Sequence, residues 1–201
     1  ADMTKLAYGH VFVLLAGWFS DTAMAATSFT ITINNLAFIP MIGMGQAVSV
    51  LVGQRLGQNR PELAARSTVA GFQLAFIYMM TVSVFYVLTP SIFTDRFRGD
   101  ADPESWEAVA GMIRTLLWFV ALYCIFDSVN LIFSFGLRGA GDTLFVTWVS
   151  LLLSWPLMVI PSWVAWKLGW SFYWTWAFAS FYIAAQAVCF VFRFRGGKWK
   201  S

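Results

Sequence analysis

Charge is scarce in this sequence: Asp, Glu, Lys and Arg make up 11% of the 201 residues, against roughly 25% in a soluble domain. With 59% of residues apolar and a mean hydropathy of +0.69, there is too little polar surface to coat a water-soluble globule. Cysteine is nearly absent. Cys124 and Cys189 both lie within apolar runs, which argues against a disulfide framework or a thiolate metal site and for lipophilic packing. A single histidine, His10, leaves little for metal ligation or intramembrane catalysis. No phosphate loop ending Gly-Lys-Ser/Thr occurs. Neither an enzyme nor a bound cofactor is therefore expected. Basic residues are dispersed at segment ends, so the net charge of +3 speaks for membrane orientation and against a nucleic-acid partner. A secretory signal is missing too: Ala1-Asp2-Met3-Thr4-Lys5 runs almost directly into an apolar stretch, which reads as a chain cut upstream.

What is present is long hydrophobic runs. A bilayer core needs about 20 apolar residues per helix, and about six spans fit, at Met3–Phe19, Ala23–Val52, Ala65–Phe93, Trp106–Leu137, Thr143–Trp166 and Phe172–Phe192. The expected fold is an all-α polytopic transmembrane bundle, a single domain over residues 1–201 whose first helix is truncated. Asn59-Arg60-Pro61 and Asp102-Pro103 place a capping side chain ahead of a proline at the start of a helix. Between the fourth and fifth spans, Arg138 offers a cation to the outgoing carbonyls, Gly139 and Gly141 permit the reversal, and Asp142 is the expected cap of the next helix. Pro40, Pro156 and Pro161 fall inside spans and should bend or loosen them. Gly45, Ser49, Gly53 and Gly57 form a small-residue stripe suited to close helix packing.

Basic residues on alternating sides set the orientation. Arg55, Arg60, Arg66, Arg138, Arg193, Arg195, Lys198 and Lys200 gather on one side, while Arg96, Arg98 and Lys167 lie on the other. The richer side is expected to face the cytoplasm, including a basic tail over residues 194–201, in the inner (plasma) membrane. The opposite side carries Trp163, Trp166, Trp170, Trp174 and Trp176, placed as an interfacial belt would be.

Asp127 stands apart from the other acids because it falls deep within an apolar span. Inserting an aspartate at the bilayer centre costs on the order of 2.5–3.5 kcal/mol, so it needs a compensating role. Tyr123, Asn130 and Ser134 share its helical face. A carboxyl there can exchange a proton for a cation; the alternative is that it only ties helices together. Thr27, Thr30, Asn34, Asn35 and Gln46 on the second span suit either a wet substrate cavity or interhelical bonding. The candidate cavity set is Asn34, Thr30, Gln46 and Ser134. His10 suits a proton relay or a helix–helix hydrogen bond.

Taken in order, Ala25-Ala26-Thr27, the run Pro40 to Ser49, Val52-Gly53-Gln54-Arg55-Leu56-Gly57, Asp127 and Leu137-Arg138-Gly139-Ala140-Gly141-Asp142-Thr143 resemble the C-terminal half of a multidrug and toxic compound extrusion (MATE) transporter. The resemblance covers nearly the whole chain. It implies one lobe of a two-lobe, roughly twelve-helix secondary antiporter, with the N-terminal lobe as a missing partner in the same or another chain. Such proteins export organic, often cationic small molecules in exchange for H+ or Na+. In the Na+-associated branch, the second-lobe site resembles an aspartate, a tyrosine one turn earlier and a glutamate on the first helix of the lobe. Asp127 and Tyr123 match the first two. The glutamate position falls on Lys5, which implies proton coupling or a Lys5–Asp127 pair in place of a full Na+ site. The alternatives are a flippase-like exporter of a lipid-linked or polysaccharide precursor and a non-catalytic structural membrane subunit.

Overall fold

A computed structural model describes residues 14, 16–97 and 103–200. Most of the expected first span, Met3–Phe19, lies outside the described residues, as do Lys5 and His10. From Ser20 onward the chain is a helical bundle, with no strand among the described residues. Its elements are α1 (Asp21–Gly57), α2 (Pro61–Leu88), α3 (Pro90–Phe97), α4 (Pro103–Gly139), α5 (Thr143–Ser154), a π-helical turn (Trp155–Val159), α6 (Ile160–Lys167) and α7 (Tyr173–Arg195). Counting α5 through α6 as one unit, 5 helices among the described residues are long and apolar enough to cross a membrane.

Side-chain pairings fix how the spans run. Asn34 meets Tyr123, and further along both helices Gly45 lies against Leu131 and Phe135, so α1 and α4 are parallel. Phe119 stacks on Tyr173, and Asn130 bonds Gln186, so α7 runs the same way. Tyr86 reaches the Ile33 carbonyl while Gly71 faces Val48, which makes α2 antiparallel to α1. Ion pairing of Asp142 with Arg193 and contact of Phe145 with Phe190 make α5 antiparallel to α7. α4 is the centre of the bundle, packed on α1, α2 and α7. Within its most apolar window 61% of residues are buried, more than in any other span.

Close packing depends on missing side chains. A Cβ on Gly45 would lie 2.6 Å from Phe135 Cδ2, and one on Gly139 would lie 2.8 Å from the Ser49 Cα. Ser49 and Gly53 thus meet the backbone of α4 at Gly139, the close approach that small residues permit in lipid. Gly57 faces open space, so the stripe makes its contact over Gly45 to Gly53.

Helix ends depart from the sequence expectation in three places. Asn59 does not cap α2. It adopts φ 56° while Arg60 N–H donates to the Arg55 carbonyl at 2.8 Å and Asn59 N–H donates to the Leu56 carbonyl at 2.8 Å. That pattern closes the preceding helix, a left-handed role asparagine tolerates better than most residues. Asp142 occupies the N-cap position of α5 but makes no side-chain cap bond. Its carboxylate instead accepts two bonds from Arg193, at 2.6 and 3.2 Å, because a guanidinium fork outcompetes a single amide. Gly141, at φ 85°, supplies the reversal, and Asp142 N–H donates to the Leu137 carbonyl at 3.0 Å. The third span also ends early, at Leu88. Pro90 disfavours helical geometry at Thr89 (φ −132°, ψ 51°), and a separate helix, α3, follows.

The prolines inside spans act differently from one another. α1 continues through Pro40, and the Tyr78 hydroxyl donates to the nearby Ala37 carbonyl at 3.1 Å. Around Pro156 the fifth span widens into the π-turn, where Ile160 N–H reaches back to the Trp155 carbonyl. Ser154 donates to the Leu151 carbonyl at 2.8 Å just ahead of Pro156, which has no N–H to give. Beyond α7, Trp199 folds back: its indole N–H donates to the Phe194 carbonyl at 2.6 Å, and the two rings stack at 4.7 Å.

Candidate ion-coupling site

α4 presents Tyr123, Asp127, Asn130 and Ser134 on one face because residues three and four apart lie above one another on a helix. All four are buried; Asp127, 5% exposed, is the one buried charged side chain among the described residues. Tyr123 accepts a hydrogen bond from Asn34 Nδ2 at 2.9 Å and stacks on Trp176 with centroids 6.5 Å apart. The Asn34 Oδ1, by contrast, is buried with no hydrogen-bond partner, as is Thr27 Oγ1 two turns earlier on α1. On the other flank, Asn130 Nδ2 donates to Gln186 Oε1 at 2.9 Å, Gln186 Nε2 donates to the Tyr182 hydroxyl at 2.8 Å, and Tyr182 donates to the Ser150 carbonyl at 3.2 Å.

The other residues singled out from the sequence are placed less centrally. Thr30 and Ser134 are buried but donate to their own helix backbones, at Ala26 and Leu131. Gln46 is exposed on α1. Arg138 sits 5.8 Å over the Phe135 ring at the end of α4. Lys5 lies outside the described residues, so its relation to Asp127 is not part of this geometry.

Sequence reasoning misses Gln186, Tyr182 and the inward position of Trp176. A signal exists for the first: Gln186 is a side-chain amide in an otherwise apolar span, four residues after Tyr182 and so on the same face. Position in the chain groups Trp176 with the interfacial belt, yet it is 2% exposed, whereas Trp163, Trp166, Trp170 and Trp174 are 39–50% exposed. No local pattern separates it from them; its burial beside the Tyr123 ring does.

The MatE family model matches residues 3–164. The chain belongs to the MatE family. Among curated proteins, a probable multidrug resistance protein NorM of Brucella suis biovar 1 (strain 1330) is 31% identical over 67% of this chain and 28% of its own length. Protein DETOXIFICATION 38 of Arabidopsis thaliana is 28% identical over 73% of this chain and 28% of its own length. The chain thus spans less than a third of the length of these relatives. Among solved structures, a MOP superfamily transporter from Pyrococcus furiosus Vc1 (DSM3638) superposes with a TM-score of 0.83 over 97% of this chain and 44% of the other, at 17% identity. The archaeal protein is described as having a binding pocket of reverse polarity, which suggests a different function for it. At that identity the likeness concerns the fold: this MatE chain is an all-α, multi-pass membrane bundle.

Proposed function

We propose that the chain is one lobe of a secondary antiporter that exports lipophilic or cationic small molecules, with Asp127 as the group that exchanges H+ or Na+ during transport. The observation that carries this reading is the burial of Asp127, 5% exposed, in the central span beside Tyr123 and Asn130. A carboxyl group deep within a span can exchange a proton for a cation, which is why such residues mark ion pathways. The unpartnered Asn34 Oδ1 beside Tyr123 adds an oxygen acceptor of the kind a proton donor or a hard cation uses. Family membership and relatives named for multidrug resistance and detoxification support efflux as the activity. Alternating access would come from rocking against a second lobe. A cytoplasmic C-terminus fits the clustering of Arg138, Arg193 and Arg195 at one end of the bundle, where Arg193 binds Asp142.

The test is Asp127→Asn in the full-length parent transporter, reconstituted in vesicles. Drug export driven by an imposed H+ or Na+ gradient is expected to fall to background while the protein remains folded. Export that survives with unchanged ion dependence would remove Asp127 from the mechanism. A Na+ gradient imposed at fixed pH separates the two ions: no stimulation is expected if Lys5 replaces the family's acidic ligand.

A further inference from the structure

Between the Asp127 face and the broken fifth span runs a continuous, one-directional chain of hydrogen bonds. Asn130, one turn from Asp127, donates to Gln186; Gln186 donates to Tyr182; Tyr182 donates to the Ser150 carbonyl. Asn130 and Gln186 are 3% and 5% exposed, so water does not substitute for these bonds. Ser150 lies about one turn before the π-turn Trp155–Val159, the place where the span departs from α-helical bonding. Pro156 lies within that turn and Pro161 just beyond it, and neither can donate an amide to rebuild a regular helix. Single π-turns inside α-helices are frequent at functional sites. A second anchoring of this region, from the Ser154 hydroxyl to the Leu151 carbonyl, stays within the same helix. Tyr182 is thus a side chain from another span that holds a backbone carbonyl ahead of the turn.

We propose that Gln186 and Tyr182 are positioning residues that tie the arrangement of the Asp127 helix face to the bonding register of the π-turn in the fifth span. When the polar face of α4 rearranges, Asn130 changes its hold on Gln186. Tyr182 then releases or regrips Ser150, and the fifth span changes its bend. Neither residue touches substrate; both act through Asn130 at one end and a backbone carbonyl at the other. The connection to transport rests on the reading of Asp127 as the coupling group, but the connection between the helix face and the π-turn does not.

Two measurements on the full-length parent protein test this. Amide hydrogen exchange over residues 157–160 is compared among wild type, Tyr182→Phe and Asn130→Leu. Tyr182→Phe keeps the ring and removes only the hydroxyl, so it preserves the packing even if Asn130→Leu fails to fold. Both variants are expected to speed exchange about tenfold, as loss of one buried hydrogen bond would. Unchanged exchange in Tyr182→Phe overturns the proposal. In vesicles, Tyr182→Phe is expected to lower the maximal rate of ion-driven export several-fold per folded transporter at unchanged KM for drug. Faster exchange with an unaltered export rate would reduce the chain to a structural strut and also overturn it. If Asp127→Asn exports normally while the exchange result stands, the failure lies with the assignment of Asp127 and not with the connection to the π-turn.

Discussion

Asn34 and Tyr123 make the most informative pair at the scale of single residues, because one amide does two jobs. Its nitrogen donates to the Tyr123 hydroxyl at 2.9 Å, which orients the amide and leaves Oδ1 as an acceptor without a partner. A buried acceptor in that condition costs on the order of 1–3 kcal/mol, and here it sits beside the Tyr123 hydroxyl, one helical turn from Asp127 along α4. Asn34→Leu is therefore expected to change folded stability little, since it removes an unsatisfied atom along with a bond, yet to depress ion-driven export. Thermal unfolding in detergent beside vesicle transport separates the two effects. Gln46 makes the opposite case. It is exposed on α1, and Gln46→Ala is expected to leave stability within about 0.5 kcal/mol. A change in KM for drug in that variant would place Gln46 on a substrate path.

Among the elements, α1 and α4 illustrate how lipid-embedded helices are held without a hydrophobic driving force between them. Backbone meets backbone where Gly139 lies against Ser49, and Gly45 makes room for the side chains of Phe135 and Leu131. Gly139→Ala must push its Cβ into the main chain of Ser49, which cannot swing aside as a side-chain tip can. A loss of about 1–3 kcal/mol is expected, read as a lowered unfolding temperature. Gly57→Ala meets nothing within 4 Å and is expected to be neutral or slightly stabilising, given the helix preference for alanine. The fifth span follows a different rule: its two prolines deny it a regular hydrogen-bond ladder, so side chains such as Ser154 and Tyr182 take part in holding its backbone.

Over the whole molecule, the distribution of charge and the pairing of Arg193 with Asp142 place one end of α4, α5 and α7 together. In a cysteine-free background, Arg60→Cys and Lys198→Cys are expected to react with an impermeant maleimide only from the cytoplasmic side. Lys167→Cys is expected to react only from the opposite side. The reverse pattern would invert the topology. Trp199, 3% exposed, folds back and stacks on Phe194 at the end of α7.

Hydropathy is a local quantity, so the sequence alone determined that this is a membrane bundle, roughly where its spans lie, and that an aspartate sits within one of them. The turn at Gly141 was legible for the same reason, because a left-handed residue is a requirement of a few neighbouring atoms. Which polar groups meet was decided by tertiary structure. Asn34 and Tyr123 are 89 residues apart, and Asn130 and Gln186 are 56 apart. Their pairing depends on the register of helices whose apolar faces look alike in sequence. The same holds for Asp142, whose local pattern is that of a helix cap but whose carboxylate is claimed by an arginine 51 residues away. It holds for Trp176 as well, which is buried beside the ring of Tyr123 while its neighbours are exposed.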